Sequence, residues 1–261
     1  LRHPGVVPVT DVIDVGGAPG LVMELVRGPS LDQLLRWHRL DLEQADALAI
    51  GILKGVAAAH AAGFVHRDLK PANVLLALSE DGLVPRITDF GLAKLLDDPA
   101  GGVTRTGEVF GTPSYMAPEQ IRDAGSVDAR ADVFSLGALL FELVTGRRCF
   151  DGSSTPAIFE AIAAGGYPDP RELVPELPER MVVAIRGALV VDREERLSGC
   201  RELLAAWTAD GTETEAELLP VDDLWGEGLL TELGRRTREE HTRLTAVPET
   251  EPCSAGTARR G

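Results

Sequence analysis

The eight residues His66-Arg67-Asp68-Leu69-Lys70-Pro71-Ala72-Asn73 constrain this chain most, because they crowd four ionisable side chains into a short connection. Before them, Leu42 to Ala62 is rich in Ala and Leu in a helical pattern, which Gly63 ends. After them, Val74–Leu76 and Arg86–Thr88 read as two short strands around a polar turn. Asp89-Phe90-Gly91 then follows sixteen residues after Asn73. Connections that carry such groups between rigid elements are where binding and catalysis concentrate.

The flanking sequence predicts a little β structure followed by mostly α. Residues 6–26 alternate apolar and polar positions around Gly16 to Gly20, the pattern of two strands joined by a loop. Ser30 with Gln33 forms a capping-box signal for a short helix to about Trp37. Residues 92–128 scatter Gly, Thr and Pro with little periodicity, which predicts a long functional loop with short helical turns. Helices are predicted at Ala129–Thr145 and near 156–164, 179–190 and 199–208.

Composition sets outer limits. A formal charge of −15 argues against nucleic acid as a partner and favours basic substrates. No stretch has the run of about 18–20 apolar residues that a membrane span needs. Cys149, Cys200 and Cys253 form no CxxC pair, so neither a disulfide framework nor a zinc site is expected, and the location is expected to be cytoplasmic. Residues 209–261 hold 12 acidic and 6 basic residues, with Thr and Pro in the last third. Residues 221–245 could form a helix, but without an evident packed core the segment is expected to be a linker or disordered tail, following a domain over 1–208.

In their order and spacing, the run from His66 to Asn73 and the Asp89-Phe90-Gly91 triplet resemble the catalytic and metal-binding loops of protein kinases. The chain resembles the Hanks-type family, above all its bacterial serine/threonine branch. Gly111-Thr112-Pro113-Ser114-Tyr115-Met116-Ala117-Pro118-Glu119 is similar to the end of that family's activation segment. The resemblance implies an α+β, protein-kinase-like fold over 1–208, mainly the helical C-terminal lobe with the last strands and hinge of the N-terminal lobe.

Phosphoryl transfer passes through a loose transition state, so catalysis rests on positioning and charge neutralisation. The resemblance gives Asp68 the acceptor hydroxyl's proton and Lys70 the moving phosphoryl group. It gives Asn73 and Asp89 the magnesium ion that accompanies ATP, for which oxygen donors are suited. Leu21 to Val26 corresponds to the hinge strand, with Met23 as gatekeeper and the backbone of Glu24 and Val26 facing adenine. His66 and Phe90 take structural roles. An ion pair is expected between Glu119 and Arg196, the last residue of Asp192-Arg193-Glu194-Glu195-Arg196, and Asp132 is expected to anchor the catalytic loop's backbone.

Lys70 and Thr112 fit the serine/threonine pattern, so protein hydroxyls of those residues are the expected acceptors, with self-phosphorylation in trans as an option. Phosphate on Thr104 or Thr106 would give Arg67 a charge-assisted partner and order the loop. The family's Gly-rich loop, strand lysine and helix glutamate have no counterpart here. Only Lys54, Lys70 and Lys94 exist, and none matches the phosphate-gripping lysine. The chain opens at Leu1, so a fragment of a longer reading frame is expected, inactive alone. The alternative is a non-catalytic pseudokinase used for binding or scaffolding. A small-molecule phosphotransferase is disfavoured by Gly111 to Glu119 and Arg196.

Overall fold

The computed structural model describes residues 1–16, 18–79, 82–90, 113–122, 127–209 and 221–245. Strands β1 (Val9–Val15) and β2 (Ala18–Met23) pair antiparallel, Val9 opposite Met23 at one end and Val15 opposite Ala18 at the other. Helix α1 (Leu31–Trp37) starts where Gln33 N–H donates to Ser30 Oγ and Ser30 N–H donates back to Gln33 Oε1, so two end-of-helix donors are satisfied reciprocally. Asp41 and Gln44 repeat the device at the head of α2 (Leu42–Ala61).

A second hairpin, β3 (Val74–Ser79) and β4 (Gly82–Ile87), pairs Val74 with Ile87. Extended segments run along both of its edges. Val7 N–H donates to Ile87 O and Ile87 N–H to Gly5 O; Leu76 N–H donates to Pro29 O and Leu78 N–H to Arg27 O. The hairpin thereby ties the first strands to the helical body through backbone bonds.

The helical body comprises α3 (Pro118–Arg122), α4 (Ala129–Thr145), α5 (Thr155–Ala164), α6 (Pro170–Leu173), α7 (Glu179–Ala188) and α8 (Cys200–Trp207). Its centre is α4, apolar all round and buried at 14 of 17 positions. Gly137 permits close packing against α7, since a Cβ there would stand 2.7 Å from the Ala188 Cβ. Gly146 caps the helix in the left-handed region at φ 69°, where a side chain would be strained.

Part of the 209–261 segment differs from the expected linker or disordered tail. Residues 221–245 form α9 (Val221–Thr245), kinked at Gly226, and the helix lies against β4 and α2. Trp225 and Leu233 are buried in the core, and the Arg236 guanidinium sits 5.6 Å from the Trp37 ring centre. Trp225 and Leu233, eight positions apart, dock the helix together with half-buried Leu229 and Leu230. Among the described residues, no helix is long and apolar enough to cross a membrane.

Candidate active site

The polar run lies in the turn between α2 and β3, with Pro71–Asn73 in a single 3-10 turn. Thr88 N–H donates to Asn73 O at 3.0 Å, extending the β3–β4 pairing by one step. Asn73 and Asp89 therefore leave the same end of the hairpin. Arg67 and Asp89 both have left-handed backbones, φ 70° and 63°. Non-glycine residues hold such angles at a cost of about 1–3 kcal/mol and only where the surroundings over-determine them.

Asp132, on the first turn of α4 and wholly buried, supplies that constraint at Arg67. Its Oδ1 accepts from Arg67 N–H at 2.8 Å and its Oδ2 from His66 N–H at 2.7 Å. His60 Nε2 lies 2.8 Å from the same Oδ2. On the other side of the loop, Gln120 Nε2 donates to Arg67 O at 2.6 Å, and its Oε1 accepts from Ala117 N–H. The strained turn is thus held by a buried carboxylate from α4 and a carboxamide from α3.

His66 is buried, with its ring centre 4.7 Å from that of Phe90. Its Nε2 faces the Thr88 carbonyl at 2.8 Å, and its Nδ1 faces the Asp68 N–H at 3.2 Å. A carbonyl only accepts and an amide N–H only donates, which fixes the neutral tautomer with hydrogen on Nε2. Burial lowers the pKa of His66 and outweighs the opposing pull of Asp132 and of the Thr88 carbonyl.

Asp68, with half of its side chain exposed, is the most accessible member of the group. Lys70 Nζ donates to Asp68 Oδ2 at 2.6 Å and Asn73 Nδ2 donates to the same oxygen at 3.1 Å. Asn73 Nδ2 also donates to the Asp68 main-chain carbonyl at 2.8 Å. One carboxylate oxygen is thereby occupied, while Oδ1 receives no side-chain donor among the described residues. The Asn73 amide nitrogen is turned to Asp68, which leaves its side-chain carbonyl oxygen as the remaining donor atom.

Met23 and Asp89 line one cavity together with Leu21, Phe64 and Phe90. Glu24 N–H donates to Pro8 O at 3.2 Å, and its carboxylate is held by both terminal nitrogens of Arg86 at 2.6 and 3.1 Å. The Arg86 hydrogen bonds hold the Glu24 carboxyl below the usual range. Val26 follows β2, half-buried. Gly91, Thr104, Thr106, Gly111 and Thr112 lie outside the described residues.

The structure brings Glu119 and Arg196 together. Arg196 Nη1 and Nη2 reach the two Glu119 oxygens at 2.7 and 3.0 Å. Its remaining donors go to the carbonyls of Val190, Arg130 and Val191, so all five N–H groups are satisfied. Phe134 lies beneath, 5.0 Å from the guanidinium. Next to this brace, Tyr115 O–H donates to Glu142, and burial pushes the pKa of both groups up.

Sequence reasoning missed His60 and Gln120. His60 ends a helix whose buried face is Ala, Leu and Ile, so an imidazole in its last turn was a usable signal. Gln120 follows Glu119 without any pattern of its own, and only the folded chain sets it against Arg67.

Comparison with known proteins agrees with this geometry. The family model described as protein kinase domain matches residues 1–207. Serine/threonine-protein kinase PkaA of Streptomyces coelicolor is 47% identical over 155 residues, which cover 59% of this chain and 28% of that protein. Probable serine/threonine-protein kinase PknB of Bifidobacterium longum is 33% identical over 216 residues, 81% of this chain and 31% of that protein. Among solved structures, Rad53 1-466 in complex with AMP-PNP is similar at a TM-score of 0.64 and 28% identity, over 78% of this chain and 50% of that one. The chain spans less than a third of the length of these two curated relatives. With the loop geometry, the brace and a match across nearly four-fifths of its residues, the chain belongs to the protein kinase family, in its bacterial serine/threonine branch.

Proposed function

We propose that this chain carries the catalytic-loop half of an ATP-dependent protein kinase that transfers the γ-phosphoryl group to serine or threonine hydroxyls of proteins, in the cytoplasm. The observation that carries the reading is the convergence of Lys70 and Asn73 on one oxygen of Asp68. That arrangement fixes the carboxylate and leaves Oδ1 to accept the hydroxyl proton as the hydroxyl oxygen attacks phosphorus. Lys70, half-buried, brings a cation to the same point, where negative charge shifts during transfer. Arg67 makes no side-chain ion pair among the described residues, which leaves it available to phosphate on Thr104 or Thr106, placed there by another copy acting in trans.

The oxygen donors of Asn73 and Asp89 suit Mg²⁺, which takes few protein ligands and fills its shell with phosphate oxygens and water. When bound, the ion supplies positive charge against the phosphate oxygens.

Transfer from labelled ATP to serine, threonine and tyrosine peptides tests the reading, with the complete reading frame and residues 1–261 assayed in parallel. Asp68→Asn is expected to slow transfer to serine about 10²–10⁴-fold, the usual yield of a positioned general base. Unchanged transfer by the variant, or preference for tyrosine, would overturn the assignment.

One observation favours the non-catalytic alternative for the chain taken alone. Lys54 stands exposed on α2, Lys70 is committed to Asp68, and Lys94 lies outside the described residues. Residues 1–261 are accordingly expected to bind peptide while transferring phosphate slowly.

A further inference from the structure

Where α1 meets the C-terminal end of α4, a small cavity of about 120 Å³ is lined by His38, Arg39 and Arg147 over an apolar floor of Leu35, Leu40 and Leu143. Two arginines at one cavity mouth stand out on a chain of net charge −15. Neighbouring acids are already engaged. Asp32 pairs with Arg36 at 2.9 Å, and Glu142 takes the Tyr115 hydroxyl beside Arg148, which also bonds Tyr115. Arg39 and Arg147 have no carboxylate partner among the described residues. The end of α4 contributes roughly half a negative charge, which two guanidiniums exceed fourfold.

Position adds a second constraint. Gly146 follows Glu142 by four residues on α4, a rise of about 6 Å. Glu142 holds Tyr115, whose turn begins at Pro113, directly after Thr112, which the kinase reading assigns to the substrate loop. The cavity therefore lies about one helical turn along α4 from the residue that holds the end of that segment.

We infer that the Arg39–Arg147 cavity is an anion subsite that receives an acidic or phosphorylated side chain of the protein substrate. The inference rests on the kinase reading for its substrate class, and it runs against the global charge, which favours basic partners. A carboxylate or phosphate can lie between the two guanidiniums in charge-assisted hydrogen bonds, with its chain resting on the leucines.

Binding of synthetic peptides to residues 1–261, measured by fluorescence anisotropy at low salt without nucleotide, tests it. The peptides share one acceptor serine and carry Gln, Glu or phosphoserine at one scanned position. At a particular position, Glu and phosphoserine are expected to tighten binding about fivefold to tenfold over Gln, the yield of two exposed ion pairs. The gain should vanish in R39Q/R147Q, persist in R39K/R147K and fade at high salt. Equal binding of all three peptides at every position, or a preference that survives R39Q/R147Q, would overturn the assignment. Inorganic phosphate is the second arm: if it binds while leaving the peptide ranking flat, the cavity takes a free anion and the substrate assignment fails. Because no nucleotide is present, a catalytically silent chain can still show the preference, and an active kinase can lack it.

Discussion

The β1–β2 hairpin and the helical body around α4 are held by opposite means. All seven residues of β1 are exposed, including Val12 at 61% and Val15 at 60%, whereas α4 is buried on every side. A two-stranded hairpin with little burial is marginal by itself. The His66–Asn73 loop is anchored to the body, by Asp132 from α4 and Gln120 from α3. The Met23 side of the neighbouring cavity is carried by the hairpin. The proposed chemistry is therefore held by the buried helical body, and the side proposed to face nucleotide rests on the exposed hairpin.

Asp132→Ala is the largest perturbation expected to break this contrast. It strands two backbone N–H groups and the His60 imidazole, at roughly 1–3 kcal/mol for each buried group left unpaired. A loss of about 3 kcal/mol or more in urea denaturation is expected, with the strained Arg67 backbone released. A loss under about 1 kcal/mol would mean that the loop holds itself.

The second perturbation acts through His66. Its folded pKa is depressed, so as pH falls through about 6.5 the unfolded chain gains a proton that folded His66 refuses. Stability should fall with pH in that window, by up to about 1.4 kcal/mol per pH unit from this group. His66→Gln should flatten the slope, and identical slopes in the two proteins would remove His66 as its source.

The smallest effect belongs to the hairpin. Val12→Thr, at an exposed site, should change stability by no more than about 0.5 kcal/mol. Amide exchange should meanwhile be fast across β1 and slow across α4. Slow exchange in β1 would erase the contrast.

Much of this was legible in the sequence because the information was local. The capping pair at Ser30–Gln33, the glycine after α2 and the turn residues of both hairpins act within a few positions. The spacing of Asp68, Asn73 and Asp89 is also local, since one hairpin sets it. His60 works on the side-chain carboxylate of Asp132 and Gln120 on the backbone carbonyl of Arg67, and no periodicity announces such partnerships. The docking of α9, whose helical pattern the sequence allows, was hidden differently: an acidic composition and the Gly226 kink mask the side chains, Trp225 and Leu233 among them, that seat it.

The saturation of Arg196 bears on how such a protein can drift. Each of its five N–H groups has its own acceptor, two of them on Glu119 and the other three on main-chain carbonyls. A lysine has three donors on a single nitrogen and cannot span that set. Single-step substitutions at 196 therefore lead downhill, and loss of Glu119 leaves a buried cation unmatched. The two positions are bound to change together or stay as they are, so descendants that have lost catalysis should still carry this pair after Asp68 has gone.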